Sequence, residues 1–207
     1  RFEFDDPEYF EDDFENKVTM ITNFRNSNLN LKDLKYFTSF FDGIDRNIGL
    51  SGEFKGTVAD FKTKNLKLKI DRNTLFYGDL AMKGLPYTDN TTFETTIKQL
   101  KTNEYELARI ESPPFTNNKY ISLPKELNGI GDINISGNLK GKFNDFSGKL
   151  IALTSQGKIE TESRYWEQNN TSFFDGKVIA TDVNIGNFIE IDELKNLDAN
   201  VNTKINW

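Results

Sequence analysis

Cysteine and histidine are both missing from this 207-residue chain, and the second absence excludes more than the first. Without cysteine there are no disulfides, thiolate metal sites or thiol nucleophiles, although such a chain is at home in any redox compartment. Without histidine there is no Ser-His-Asp or Cys-His relay and no imidazole zinc or iron site. Nor is there a side chain that titrates near neutrality unless its surroundings shift it. Most common enzyme chemistries are closed, and we expect neither catalysis nor a cofactor. Long apolar runs are missing too, since nothing approaches the ~18 consecutive apolar residues of a membrane span. Excess positive charge is absent: a formal net charge of −6 and a pI near 4.9 oppose a phosphate-binding surface, so nucleic acid is not expected as a partner. The chain opens on Arg1-Phe2 with no initiator Met and no signal peptide, and we expect it to be an internal fragment.

What the chain does have is alternation. Leu197, Ala199, Val201, Thr203, Ile205 and Trp207 interleave with Asp198, Asn200, Asn202, Lys204 and Asn206, the period of a strand wet on one face only. Leu66, Leu68 and Ile70 alternate with Asn65, Lys67, Lys69 and Asp71 in the same way, and Phe174 to Thr181 follow with one lapse. Further strands are expected at 18–24, 75–83, 93–100, 149–154 and 158–165, giving roughly ten to twelve in all. Turn formers such as Asp71-Arg72-Asn73 and Gln168-Asn169-Asn170 point to antiparallel hairpins, with helix in the minority. The fold class expected is all-β: tandem antiparallel amphipathic strands in an elongated curved sheet, a groove with an apolar concave face.

One strand is written twice. Ile48, Leu50, Ser51, Gly52, Phe54, Lys55, Gly56, Val58, Asp60 and Phe61 recur as Ile133, Ile135, Ser136, Gly137, Leu139, Lys140, Gly141, Phe143, Asp145 and Phe146. The shared template is aliphatic-Ser-Gly-x-hydrophobic-Lys-Gly-x-hydrophobic-x-Asp-Phe, and its period of roughly 85 residues marks an array of β units. A second element, Leu29 to Phe37, returns as Ile189 to Leu197, about two periods away. Thr22-Asn23, Thr102-Asn103 and Thr181-Asp182 stand upstream of such elements, and the stretches 104–110 and 183–188 read as a turn or a single helical turn. These repeats divide the chain into a partial unit at 1–43 with an acidic start, a full unit at 44–128 and a truncated one at 129–207. Pro113-Pro114 and Pro124 mark a loop in the second unit, because proline cannot donate in a ladder.

Gly52, Gly56, Gly137 and Gly141 share a face with the large apolar residues of the repeated strand. They read either as bends, bulges or packing gaps, or as curvature that leaves room for a ligand chain. Lys55 and Lys140 point to the other, wet face, where a solvated role is the default. The acidic start carries Asp5, Asp6, Glu8, Glu11, Asp12, Asp13 and Glu15 among Phe2, Phe4, Tyr9, Phe10 and Phe14. It reads as a solvated loop with aromatic anchors, since its spacing does not match a calcium loop.

The repeated strands at 51–61 and 136–146, the element Leu29 to Phe37, and Tyr120-Ile121-Ser122-Leu123-Pro124 leading into the second copy together resemble the TamB family. The likeness is to its divergent Bacteroidetes-type members, within the AsmA-like, repeating β-groove group of lipid-transfer proteins, and it covers nearly the whole chain after residue 16. The resemblance implies a long periplasmic protein, anchored by an N-terminal helix in the inner membrane and pairing near the outer membrane with a BamA-like barrel. It implies a bridge for phospholipid between the two membranes and a part in outer-membrane biogenesis, as in a translocation and assembly module. The motifs are structural, and tandem amphipathic strands with glycine also occur in adhesins and autotransporters.

Acyl chains need a continuous apolar lining and no directed hydrogen bonds, so stacked strands with one greasy face each would serve as a track. The candidate lining residues are Ile48, Leu50, Phe54, Val58, Leu66, Leu68, Leu80, Met82, Phe93, Ile97, Ile133, Ile135, Leu139, Phe143, Ile151, Leu153, Ile159, Val178, Val201 and Ile205. For each the alternative is packing against a second sheet or a covering loop. Two other functions stay open: a β-repeat adhesin or surface binding module, and a scaffold that holds unfolded outer-membrane strands by edge addition.

Overall fold

The alternating segments all fold as strands, and each strand pairs with its neighbour in sequence. The computed structural model describes residues 1–3, 5–8, 12–36, 39–70, 72–111, 120, 129–184 and 196–206. Among the described residues, eleven strands form one antiparallel meander in strict chain order. They are β1 (Phe2–Glu3), β2 (Thr19–Asn30), β3 (Asn47–Gly56), β4 (Asp60–Ile70), β5 (Thr74–Lys83), β6 (Thr92–Asn103), β7 (Asp132–Lys142), β8 (Asp145–Thr154), β9 (Gly157–Gln168), β10 (Thr171–Asn184) and β11 (Asn196–Asn206). The described helical elements are short: α1 (Phe14–Lys17), α2 (Glu104–Leu107) and 3-10 turns at Leu31–Tyr36 and Ser39–Phe41. The sheet is open and curved, and among the described residues no second sheet covers it.

Turn chemistry sets the hairpins. Gln168 pairs with Thr171 across the two-residue loop Asn169-Asn170, whose φ angles of 52° and 60° are those of a type I′ turn. Asparagine tolerates this left-handed region, and the turn's twist matches that of the flanking strands. At Ser155-Gln156 the Thr154 hydroxyl accepts from the Gln156 N–H at 3.0 Å and donates to the Gly157 carbonyl at 2.9 Å, closing the β8–β9 turn. Glu104 to Ile110 begins with the single helical turn α2, capped by the Asn103 side chain, which accepts from the Glu106 N–H at 2.9 Å. The counterpart stretch differs, for Val183 and Asn184 still belong to β10. Leu29 and Asn30 end β2 before the 3-10 turn, whereas in the second copy residues 189–195 lie outside the described residues and Asn196-Leu197 open β11. The proline pair and Pro124 also lie outside the described residues, as does Asp71. The unit joints at 44 and 129 fall in the connections just ahead of β3 and β7, and the sheet runs through both without a break.

The glycines of the repeated strand are explained by the backbone of the next strand. Gly52 has φ +132°, and a Cβ there would lie 2.9 Å from the Asn65 carbonyl oxygen and the Leu66 Cα. Its repeat partner Gly137 has φ +139°, and a Cβ would collide with the Lys149 carbonyl of β8. The space beside these residues is filled by main chain. They serve the close approach and bending of neighbouring strands, and leave no gap for a ligand chain at these two positions. Bulges mark the same level. β2 carries two residues, Arg25 and Asn26, opposite Ser51, and β6 carries Lys98 and Gln99 opposite Ser136, so the Ser-Gly of both template copies sits where the preceding strand bulges. Bulges increase local twist and bend the strand that bears them.

Candidate functional site: the apolar face of the sheet

Residues paired directly across antiparallel strands project to the same face, so the register traces rows that run across the sheet. One row passes through Leu50, Leu68, Phe76, Leu100, Ile135, Ala152, Ile159 and Ala180 from β3 to β10. A second passes through Leu66, Gly78, Ile97, Gly137, Leu150, Thr161, Val178 and Val201. Nearer the strand ends a third is aromatic: Phe61, Met82, Phe93, Gly141, Phe146, Tyr165, Phe174 and Ile205. Ring centroids lie 6.0 Å apart for Phe93 and Phe146 and 5.1 Å apart for Phe146 and Tyr165, while Phe54 stacks on Phe61 at 4.9 Å.

Across β3 to β8 this face carries no charged side chain. Its threonines turn their hydroxyls into the sheet. Thr63 donates to the Leu80 carbonyl at 3.1 Å and accepts from the Leu80 N–H at 3.0 Å, Thr95 donates to the Asp79 carbonyl at 2.9 Å, and the hydroxyls of Thr74 and Thr102 pair at 3.0 Å. All four are buried. Thr161 is different, because its buried hydroxyl has no partner. Tyr165 keeps its proton well above neutrality: burial disfavours the phenolate, and the hydrogen bond to Glu167 at 2.6 Å adds to the shift.

The opposite face is ionic. Lys83 pairs with Asp60 at 3.8 Å, Lys98 with Asp79 at 3.2 Å, Lys149 with Glu162 at 2.9 Å and Arg164 with Asp145 at 2.6 Å. The Arg164 contact is bidentate and holds the Asp145 carboxylate below its usual range.

Of the expected lining residues, sixteen share the apolar face: Ile48, Leu50, Phe54, Leu66, Leu68, Leu80, Met82, Phe93, Ile97, Ile133, Ile135, Leu139, Ile159, Val178, Val201 and Ile205. Phe143 sits in the β7–β8 turn with its ring 5.9 Å from that of Phe93, and Val58 lies half-buried in the β3–β4 turn. Ile151 and Leu153 are corrected. They project to the ionic face, 37% and 51% exposed, and Leu150 and Ala152 take the apolar side. The run Leu150-Ile151-Ala152-Leu153 has no alternation, so period alone does not choose its face. Phe61, Phe76, Leu100, Phe146, Tyr165 and Phe174 are added to the face. Phe76 shares the parity of Leu80 and Met82, a signal present in the sequence, whereas the β6 bulge at Lys98-Gln99 hides Leu100.

Cover over this face is uneven. Ile48, Leu66, Ile97 and Ile133 are buried, while Leu197, Val201 and Ile205 of β11 are 41%, 48% and 49% exposed. Two long connections meet at one end of the strands. The Arg46 guanidinium, just before β3, donates to the Arg109 carbonyl at 3.0 Å and pairs with Glu111 at 2.8 Å, linking segments whose following strands, β3 and β7, stand four places apart. Among the described residues, the arrangement offers extended apolar contact. No family model, curated protein or solved structure matches this chain.

Proposed function

We propose that this chain is one segment of a TamB-like periplasmic bridge, whose uncharged face carries phospholipid acyl chains between the inner and outer membranes. The observation that supports this reading is the absence of charge from that face across six successive strands, in a chain in which 28% of residues are charged. An acyl chain leaving a bilayer for such a face exchanges one apolar environment for another, so it loses little of the ~0.8 kcal/mol per methylene that holds it in lipid. Near-neutral exchange is what conduction requires. The strand spacing of about 4.8 Å gives eleven strands a track of roughly 50 Å, one segment of a longer path. The membrane anchor, the BamA-like barrel partner and the role in outer-membrane biogenesis belong to the same proposal and rest on the resemblance of the repeated strands.

Native mass spectrometry of the purified chain tests it. Bound phospholipid is expected, and Phe54→Asp with Leu139→Asp is expected to remove it and to slow lipid transfer between vesicles. A lipid-free wild-type chain, with transfer unchanged by the double substitution, would overturn the proposal.

A further inference from the structure

The ionic face is balanced over β8 to β11 and unbalanced over β3 and β4. Strand β4 sets Lys62, Lys64, Lys67 and Lys69 on that face, all exposed, and the register places Lys55 directly opposite Lys62. Like charges in that position destabilise a sheet. Lys69 stands between Gly49 and Leu75, Lys67 between Ser51 and Tyr77, and Lys62 between Lys55 and Ala81, so none of these three has an acid directly across the ladder, whereas Lys64 faces Glu53 and lies near Asp79, and Asp60 is the one acid that β4 itself sets on this face. On β8 to β11, by contrast, Lys149, Arg164 and Lys204 each reach a carboxylate on the adjacent strand. The strip therefore gathers positive charge locally in a chain whose formal net charge is −6. From Lys62 to Lys69 it runs roughly 23 Å at the rise of an extended strand.

We infer that this lysine strip docks the sheet on an anionic phospholipid bilayer. The inference uses the face opposite the proposed acyl track and does not depend on it. Charge complementarity selects a phosphate-bearing surface, because an anion beside Lys55 and Lys62 relieves their mutual repulsion. The residue types favour a fluid surface over nucleic acid. The strip is all lysine, compact mobile point charges that suit headgroups free to rearrange, with no arginine fork for fixed phosphate geometry. Tyr77, an aromatic neighbour of the strip, has Lys67 and Lys98 over the ring at 5.3 and 5.0 Å, so its face is occupied where a base would stack.

The test is cosedimentation of the full chain with vesicles of phosphatidylcholine alone or mixed with phosphatidylglycerol, over a salt titration. Binding is expected only with the anionic vesicles and should weaken as salt rises. The combined substitution Lys55→Gln, Lys62→Gln, Lys69→Gln should reduce it roughly 100-fold, given about 5-fold for each lysine near an anionic surface. Lys149→Gln, on the same face but paired with Glu162 outside the strip, should leave it unchanged. Equal binding to both vesicle types, no binding at all, or full retention in a triple variant whose melting curve matches the wild type would overturn the inference. Lysine-dependent binding to duplex DNA without vesicle binding would overturn it as well.

Discussion

The backbone N–H of Asn65 donates to the Asp79 carboxylate across the β4–β5 ladder at 2.7 Å, and this contact pins a bulge. Asn65 is the extra residue of β4, at φ +51°, and Lys98 reaches both partners, at 2.9 Å to the Asn65 side chain and 3.2 Å to Asp79. Asp79 consequently titrates below the usual carboxylate range, first because of the Asn65 N–H and then because of Lys98. A depressed folded pKa contributes stability that is complete above the unfolded value near 3.9 and is lost as pH falls through the folded value. Asp79→Ala should therefore cost about 1 kcal/mol at neutral pH, a modest figure because the side chain is 38% exposed. Urea unfolding at several pH values checks this: the gap to wild type should narrow below about pH 4.

Gly137 and Gly129 separate two penalties. Gly137→Ala meets both a positive φ and the Lys149 carbonyl, and should cost about 3 kcal/mol or more. Gly129→Ala, at φ +80° with nothing within 4 Å, meets only the backbone penalty of about 1 kcal/mol. Urea midpoints of the two variants measure the difference.

The β9–β10 turn is improvable. Asn170 sits at φ +60° in the second position of the type I′ loop, where glycine is the preferred residue. Asn170→Gly should raise stability by about 0.5 kcal/mol, a melting shift of about 1–2 °C for a chain of this size.

Arg46 and Glu111 join two connections and are only 15% and 22% exposed. Glu111→Ala removes the carboxylate 2.8 Å from the Arg46 guanidinium and should cost about 1–2 kcal/mol. Hydrogen exchange is expected to quicken in the segments around 44–46 and 108–111 and to stay unchanged at the β9–β10 turn.

Strand identity was legible because polar and apolar residues alternate through β3, β4 and β11, and the hairpin at Asn169-Asn170 announces itself by composition. The open sheet was not legible, because an inward residue such as Leu68 has the same pattern whether it meets a second sheet or a trough. Bulges hid more. At Asn65 and at Lys98-Gln99 one extra residue shifts parity within a strand, so Phe61, before the first bulge, and Leu100, after the second, share the apolar face out of step with Leu66 and Ile97 across the bulge. The glycine template was visible twice, yet its reason lies in the neighbouring strand's backbone, which no single strand reveals. The lysine strip escaped notice because a net charge of −6 concealed how register gathers charge on one face.

The central claim is that acyl chains meet one face of this sheet and not the other. A photoreactive side chain placed in turn at Leu150, Ile151, Ala152 and Leu153 in β8, followed by irradiation with phospholipid and mass analysis, tests it most directly. The account predicts acyl-chain adducts at 150 and 152 and none at 151 and 153. Adducts at all four positions, or at 151 and 153 alone, would contradict it.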